Sequence, residues 1–196
     1  MNLLMDVEKD IVEGCIRGKS SAQRKLFDAY SRLLLGVCNR YAANIEEAED
    51  IMQEGFVKIF LNIKEFKGEG SLVAWMRRIM INTAITHYHK MRKHRYHDDL
   101  DEVRESKFED QDWSEAEFTR EELYNVIHRM PDGYRTVFNL YAVEGYKHRE
   151  IAGILNIDEN TSKSQYSRAR RWLQERLIKL RKSESSPGKV TGQTDE

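Results

Sequence analysis

The sequence predicts an all-α protein with two small helical domains joined by an acidic linker. Along most of the 196 residues, apolar side chains recur at the three- and four-residue spacing of an amphipathic helix, and no convincing alternation indicates a strand. Only two prolines, Pro131 and Pro187, interrupt the chain, so long helices are possible. Between about residues 97 and 119 the helical pattern stops and acidic residues dominate, which divides the chain in two.

The first domain is expected to span residues 1–97. Residues 22–41, 46–66 and 71–93 each place an apolar stripe on one helix face. The predicted core positions of the first segment are Ala22, Leu26, Tyr30, Leu33, Leu34, Val37, Cys38 and Tyr41. Those of the other two are Ala48, Ile51, Met52, Ile59, Phe60 and Ile63, and then Leu72, Met76, Ile79, Met80 and Thr83.

Composition excludes several classes of protein. No run of about 18 apolar residues is present, so we expect no membrane insertion. The first 14 residues lack the basic and apolar blocks of a signal peptide. Cys15 and Cys38 lie far apart and form neither a Cys-x-x-Cys pair nor a disulfide framework. We therefore expect buried free thiols in a cytoplasmic protein.

Residues 98–119 are expected to form an acidic flexible linker. From Asp98 to Glu122, twelve acidic residues face three basic ones, a net charge of −9. Like charges at this density resist compaction, which favours a solvated segment. The polar residues 184–196 are expected to form a disordered tail.

Helical spacing resumes at Leu123 and predicts a second domain over residues 120–183. Residues His148–Leu155 predict a short helix, and Asn156 tolerates the left-handed conformation of a tight helix stop. Thr161 is expected to N-cap a second helix by accepting a bond from a backbone N–H. A short helix, a tight turn and a longer helix are typical of a helix-turn-helix.

The second helix of this pair is predicted to have two unlike faces. The inner stripe is Ser162, Tyr166, Ala169, Leu173, Leu177 and Leu180, and the opposite face is Lys163, Ser164, Ser167, Arg168 and Arg171. From Thr161 to Lys182, eight basic residues and one acidic residue give a net charge of +7. Such a helix suits the DNA major groove, with short donors near its start and arginines behind them. The alternative is a solvated basic end that only complements the helix dipole.

A second basic surface is predicted around residues 64–97. The loop Lys64–Ser71 contains two glycines, which allow unusual backbone angles, and Ser71 can cap the following helix. The stripe away from the core of that helix is Arg78, Asn82, Ile85, His89 and Arg92. Six basic residues and no acidic residue lie between Gly70 and His97, interleaved with four histidines and three aromatic residues. This composition is typical of a surface that binds single-stranded nucleic acid.

Two details of this segment have competing interpretations. Trp75 is either a platform for stacking bases or, at the edge of the core stripe, a packing residue. The histidines His87, His89, His94 and His97 match no common zinc spacing and have no cysteine nearby. We therefore predict no metal and no other cofactor.

The segment 46–66, which we number helix α3, also has an exposed second face, which we call the α3 strip. Its members are Asp50, Gln53, Glu54, Val57 and Leu61. Acidic residues that flank exposed aliphatic ones suit a partner-binding helix, because apolar area gives affinity and charge gives register. The alternative is a helix packed on both sides inside its own domain.

Three stretches resemble the sigma-70 family of bacterial sigma factors, in particular its extracytoplasmic-function (ECF) group. "EIAGILNIDENTSKSQYSRARRWL" resembles region 4, "EEAEDIMQEGFVKIFLNIKEF" resembles region 2.2, and "FKGEGSLVAWMRRIMINTAITHYHKMRK" resembles regions 2.3 and 2.4. The chain departs from the family at Ser162, where valine is frequent, and at Asn160, where glycine is common.

The resemblance implies a sigma factor that binds core RNA polymerase and directs promoter recognition, strand opening and initiation. It implies no enzyme activity, because the polymerase carries the catalysis. The implied contacts with the duplex minus-thirty-five element are Thr161, Lys163, Ser164, Ser167, Arg168 and Arg171. Those with the single-stranded minus-ten element are Lys67, Ser71, Arg78, Asn82, His89 and Arg92, and those with core polymerase are the α3 strip. An anti-sigma factor is a common further partner in this family.

Other interpretations stay open from the sequence. A stand-alone helix-turn-helix regulator would explain the second domain but not the basic stripe of 71–93 or the α3 strip. A helical scaffold without DNA would need both basic faces to be solvated by chance. The acidic linker is either a plain spacer or, as in the family, a mimic of nucleic acid in a basic polymerase channel.

Overall fold

The computed structural model describes the backbone of residues 3–94 and 118–184, and the side chains of residues 7–91 and 118–182. Within these ranges every regular element is a helix and no strand occurs, which confirms the predicted all-α class. The chain divides into two compact units, one in the N-terminal half and one in the C-terminal half. None of the described helices is long and apolar enough to cross a membrane.

Four helices form the first unit. They are α1 (Leu3–Ile16), α2 (Ser20–Asn39), α3 (Ile45–Asn62) and α4 (Leu72–His94), with a 3-10 turn at Ile63–Glu65 after α3. Helix α2 packs against the other three, and α3 also packs against α4. The segments predicted to be helical at 22–41, 46–66 and 71–93 are confirmed to within a few residues at their ends.

The core of the first unit follows the predicted stripes with one clear exception. Leu26, Leu34, Met76 and Met80 have no accessible surface. The sequence pattern places Leu33 in the core, but 48% of it is exposed. Its direction from the helix axis is close to that of Leu26, but the adjacent Leu34 is fully buried, so periodicity alone did not show which side of α2 is covered at this level.

Helices α3 and α4 approach each other closely at Gly55. A Cβ atom at this position would lie 2.2 Å from the Met80 Sδ atom. The Cys38 Sγ atom of α2 lies 3.8 Å from the same sulfur. Cys15 and Cys38 are both buried free thiols, as predicted, and burial raises the pKa of Cys38 to about 12.

The second unit contains α5 (Arg120–His128), α6 (Asp132–Phe138), a π-helical turn (Asn139–Val143), α7 (His148–Leu155) and α8 (Glu159–Glu184). Helix α8 packs mainly on α6 and makes a smaller contact with α5. Thr119 and Glu122 form a capping box at the start of α5, in which each side chain accepts a bond from the other residue's backbone N–H.

The helix-turn-helix is present, with one correction at the start of its second helix. Asn156 has a φ of 51°, the left-handed conformation predicted for the helix stop. Thr161 does not cap α8, because the helix begins two residues earlier at Glu159. The Ser162 N–H donates to the Asp158 carbonyl at 3.0 Å, which places Asp158 and Glu159 at the helix start. Acidic residues are favourable there because the unpaired N–H groups carry partial positive charge.

The predicted acidic linker, residues 98–119, lies outside the described residues apart from Phe118 and Thr119. Nearly all of the predicted tail, residues 184–196, also lies outside them. The domain limits proposed from the sequence therefore stay predictions.

Candidate functional site

The α3 strip is open to solvent in the structure. Val57 is 57% exposed and Leu61 is 69% exposed, although both are aliphatic. Asp50 and Gln53 are also exposed, and Glu54 is half-buried. Among the described residues, no element of the first unit covers this face, which contradicts the alternative interpretation that it packs inside its own domain.

Glu54 occupies the edge of the strip and is held by a neighbouring cation. Its Oε1 atom lies 2.8 Å from the Lys58 Nζ atom, and the same ammonium donates to Thr83 Oγ1 on α4 at 3.2 Å. The hydrogen bond from Lys58 lowers the pKa of Glu54. Sequence reasoning missed Lys58, although its spacing of four residues from Glu54 is the signal of a helical ion pair.

The loop before α4 has the features predicted for it. Gly68 and Gly70 have φ values of 76° and 88°, a region that glycine reaches without strain. Ser71 Oγ accepts a bond from the Ala74 N–H at 3.3 Å, so Ser71 caps α4. Lys67 and Ser71 are both exposed at this corner of the first unit.

Trp75 packs within the first unit. Its ring lies 5.7 Å from that of Phe66, centroid to centroid, and it is half-buried. The rings are tilted by 50°. This geometry favours the packing interpretation over a free stacking platform.

The exposed face of α4 is narrower than predicted. Arg78 and Asn82 are exposed and His89 is half-buried, but Ile85 is buried with 6% exposure. Ile85 lies at the boundary between the predicted exposed stripe and the core face of α4, and its apolar side chain is buried on the core side. Thr86 takes the exposed position after Asn82. The side chain of Arg92 lies outside the described residues.

His87, which sequence reasoning considered as part of the basic surface and as a metal ligand, pairs with a carboxylate. Its Nδ1 atom lies 3.3 Å from Glu47 Oε1, which connects α4 to the first turns of α3. Among the described residues, no group of three or more histidine, cysteine, aspartate or glutamate side chains is placed to hold a metal ion.

Helix α8 has the two predicted faces. Lys163, Ser164, Ser167 and Arg168 are exposed, whereas Ser162, Ala169 and Leu177 are buried. Arg171, predicted on the outer face, is half-buried. The outer face therefore offers two short hydroxyls between two cations over the first half of the helix.

Two side chains of this face are already engaged within the helix. Lys163 Nζ lies 2.7 Å from Glu159 Oε1, and the bond from Lys163 lowers the pKa of Glu159. The Ser164 hydroxyl donates to the Thr161 carbonyl at 3.0 Å. Exposed ion pairs of this kind stabilise little, so a phosphate can replace Glu159 as the partner of Lys163. Glu159 was missed because the predicted helix began after it.

An aromatic cluster also escaped sequence reasoning. The rings of Tyr141 and His148 stack with centroids 4.3 Å apart and planes 13° apart, and Tyr166 lies 4.4 Å from Tyr141. His148 Nδ1 lies 3.0 Å from the Ser162 Oγ atom. The available signal was the polar Ser162 on an otherwise apolar stripe.

A groove of about 380 Å³ lies along α5 and the second half of α8. Its lining residues are Val126, Arg129, Trp172, Arg176, Lys179 and Leu180. The Arg176 guanidinium stands over the Trp172 ring, 5.1 Å from its centroid. The groove combines apolar side chains with three cations.

Comparison with known protein families identifies both units. Residues 26–94 match the family described as Sigma-70 region 2, and residues 120–173 match Sigma-70, region 4. The two matches occur in the order predicted from the resemblance. Together with the helix-turn-helix and the basic faces, they define a bacterial transcription initiation factor.

Individual relatives narrow the assignment. The ECF RNA polymerase sigma factor SigW of Bacillus subtilis is 31% identical over 176 residues, which cover 84% of this chain and 93% of the relative. The RNA polymerase sigma-H factor of Pseudomonas aeruginosa is 27% identical over 190 residues, covering 91% and 97%. The chain belongs to the ECF group of sigma-70 family sigma factors.

One solved structure is also similar to the chain. It is the sigma factor RpoE of Bartonella quintana in complex with the anti-sigma factor NepR, with 23% sequence identity and a TM-score of 0.47. The similarity covers 79% of this chain and 96% of that one.

Family membership confirms the function that the resemblance implied. A sigma factor binds core RNA polymerase and directs it to promoters, where it starts transcription without being an enzyme itself. The competing interpretations, a stand-alone regulator and a scaffold without DNA, are wrong for this chain.

Proposed function

We propose that three exposed surfaces of this sigma factor have three separate partners. The α3 strip binds core RNA polymerase, the α4 surface captures the minus-ten strand, and the outer face of α8 reads the minus-thirty-five duplex. The observation that carries the proposal is the outward position of Lys163, Ser167 and Arg168 on the second helix of a helix-turn-helix.

The outer face of α8 has the chemistry to read a duplex. Thr161, Ser164 and Ser167 are short hydrogen-bonding residues near the helix start, where a helix in the major groove meets base edges. Lys163 exchanges its ion pair with Glu159 for a contact with the DNA, and Arg168 and Arg171 bind phosphates. The net charge of +7 from Thr161 to Lys182 makes the affinity depend strongly on salt.

The α4 surface consists of the loop Lys64–Ser71 and the exposed face of α4. The glycines at 68 and 70 let the loop backbone approach a base flipped out of the duplex, beside Lys67 and Ser71. Arg78, Asn82 and His89 continue along α4, and Arg92 is assigned from the sequence alone. Each captured base contributes about 1–3 kcal/mol through stacking, which offsets the free energy of strand opening.

The α3 strip is suited to a protein partner. Val57 and Leu61 supply apolar area, and Asp50, Gln53 and Glu54 supply polar contacts that set the register. Core polymerase is the partner, because this segment resembles the region that docks on the clamp coiled coil of that enzyme.

Four further parts of the proposal follow from the family. The protein acts in the cytoplasm, where polymerase and chromosome are found, and it needs no cofactor. An anti-sigma factor is a partner that competes for these surfaces. The acidic segment 98–119 is either a spacer or a nucleic-acid mimic.

The test is transcription by core polymerase reconstituted with the full-length chain. Reversing the charges of Asp50 and Glu54 to lysine should weaken core binding and leave DNA binding by the C-terminal half intact. Lys163→Ala with Arg168→Ala should leave core binding intact and abolish promoter selection. The matched controls are Glu49→Lys, an exposed acid of α3 outside the strip, and Lys25→Ala, an exposed lysine of α2 outside all three surfaces.

Opposite results would overturn the assignments. Unchanged core binding by the charge-reversed protein would remove the α3 strip from the interface. Unchanged promoter selection by the α8 double variant would mean that another surface reads the minus-thirty-five element.

A further inference from the structure

Ser162 is the polar member of the inner stripe of α8, and it is fully buried. The Nδ1 atom of His148, the first residue of α7, lies 3.0 Å from its hydroxyl oxygen. Separating the two residues would leave the buried Ser162 hydroxyl without a partner, which costs free energy of folding. The bond therefore favours one separation between the start of α7 and the start of α8. It joins the two helices of the helix-turn-helix near the start of the second.

The imidazole of His148 contacts aromatic rings as well as Ser162. It stacks on Tyr141, which belongs to the π-helical turn, with planes 13° apart. Tyr166 of α8 lies 5.8 Å from the same imidazole and 4.4 Å from Tyr141. His148 therefore connects three elements, namely the π-helical turn, α7 and α8.

The position of this contact in the sequence gives it a consequence for DNA. Ser162 directly precedes Lys163 and Ser164, and Tyr166 directly precedes Ser167. Because consecutive residues of a helix leave it about 100° apart, holding Ser162 and Tyr166 on the inside sets the directions of the residues beside them. A small rotation of α8 would move each of those side chains away from its base pair.

We propose that His148 is a positioning residue for promoter reading, which orients the outer face of α8 through Ser162 and Tyr141. The inference rests on the proposed function of α8 as the reader of the minus-thirty-five duplex. His148 itself touches no base in this scheme.

The charges around His148 give the contact a dependence on pH. Lys163 and Glu159 face it from α8, Arg149 follows it on α7, and Tyr141 and Tyr166 flank it. Burial, followed by Lys163, lowers the pKa of His148, and Glu159 acts in the opposite direction. A neutral imidazole that carries its hydrogen on Nε2 accepts the Ser162 hydroxyl proton at Nδ1. Protonation turns Nδ1 into a donor, which reverses the bond and leaves the buried Ser162 hydroxyl hydrogen without this acceptor. Selective binding should therefore weaken as pH falls below the ordinary histidine pKa of about 6.5.

The experiment uses variants that separate the effect of the hydrogen bond to Ser162 from the effect of the ring stacked on Tyr141. His148→Phe keeps a ring beside Tyr141 without the bond, His148→Asn keeps a hydrogen-bonding group near the position of Nδ1, and Ser162→Ala removes the other partner. The probes are a duplex enriched from a randomised library by wild-type holoenzyme and a scrambled duplex of equal composition. Binding of the full-length chain with core polymerase is measured to both, above and below pH 6.5.

We expect His148→Phe and Ser162→Ala to lower affinity for the enriched duplex about tenfold, the order of a lost buried hydrogen bond. Affinity for the scrambled duplex should stay within about twofold, because phosphate contacts do not depend on register. His148→Asn should recover part of the selectivity, and Ser162→Ala should remove the pH dependence. Lys25→Ala, at an exposed lysine of α2 outside the three proposed surfaces, serves as the unaffected control.

Two results would overturn the inference. One is wild-type selectivity and pH dependence in Ser162→Ala, which is the smaller change and decides the matter if His148→Phe does not fold. The other is an equal loss of affinity for both duplexes, since that is the mark of a merely structural contact. If Lys163→Ala and Arg168→Ala also leave selectivity unchanged, then the assignment of α8 itself has failed.

Discussion

Gly55 and Ser162 are small residues at helix contacts, and they act by different means. At Gly55 the absence of a side chain lets α3 approach α4, with Met80 filling the space where a Cβ atom would be. At Ser162 a hydroxyl is kept in a buried position because His148 satisfies it. Met80 has no exposed surface, so it has little room to move away from a larger residue at 55.

Gly55→Ala is predicted to destabilise the first unit by about 1–3 kcal/mol through overpacking against Met80. The measurement is chemical denaturation of the full-length chain. Gly36→Ala is the matched control, because Gly36 lies in α2 and a Cβ atom added there would have no neighbouring atom within 4 Å. That control should stabilise by about 0.5–1 kcal/mol. Equal stability of both variants would show that Met80 can move aside.

At the scale of elements, the turn between α7 and α8 determines how the second helix begins. Asn156 ends α7 in a left-handed conformation, and α8 starts three residues later at Glu159. The Ile157 N–H donates to the Ala152 carbonyl at 3.1 Å, which completes the end of α7. The direction of α8 thus depends on one residue with a positive φ.

Asn156→Ala is predicted to destabilise the second unit by about 1 kcal/mol, since alanine is strained at a φ of 51°. Asn156→Gly should be nearly neutral, because glycine reaches the same conformation freely. Hydrogen exchange of α7 and α8 amides in the full-length chain measures both. A larger loss with glycine than with alanine would contradict this account of the turn.

At the scale of the whole molecule, charge is sorted along the chain rather than balanced locally. The formal net charge of −1 hides six basic residues and no acid from Gly70 to His97, and a net of +7 from Thr161 to Lys182. Between them, the stretch from Asp98 to Glu122 has a net of −9. Opposite charges of this size attract over about 10 Å at moderate ionic strength.

Deleting residues 98–117 is therefore predicted to strengthen DNA binding in the absence of polymerase, because it removes an acidic competitor for the basic faces. Filter binding of labelled duplex at low and high salt measures the effect, which should shrink as salt rises. A deletion variant that binds only as tightly as the full chain at low salt would contradict this role. Replacing the acids with serine and asparagine at constant length controls for the shortened connection.

Much of the fold and of the candidate surfaces followed from local pattern. Helical periodicity predicted α2, α3, α4 and α7, and the same periodicity predicted exposed positions such as Leu61 and Arg168. Two errors concern burial, which depends on how neighbouring helices pack: Leu33 is exposed and Ile85 is buried. The third error is local, because Thr161 lies inside a helix that starts earlier.

The sequence by itself determined the all-α class, the order of the two units, the left-handed stop at Asn156 and the basic face of α8. These depend on residue type and on spacing within one helix, which a sequence contains directly. Only the tertiary structure decided the close approach of Gly55 to Met80, the bond between His148 and Ser162, and the stack of His148 on Tyr141. Spacing gives the direction of a side chain from its own axis, whereas its partner depends on which helix lies opposite.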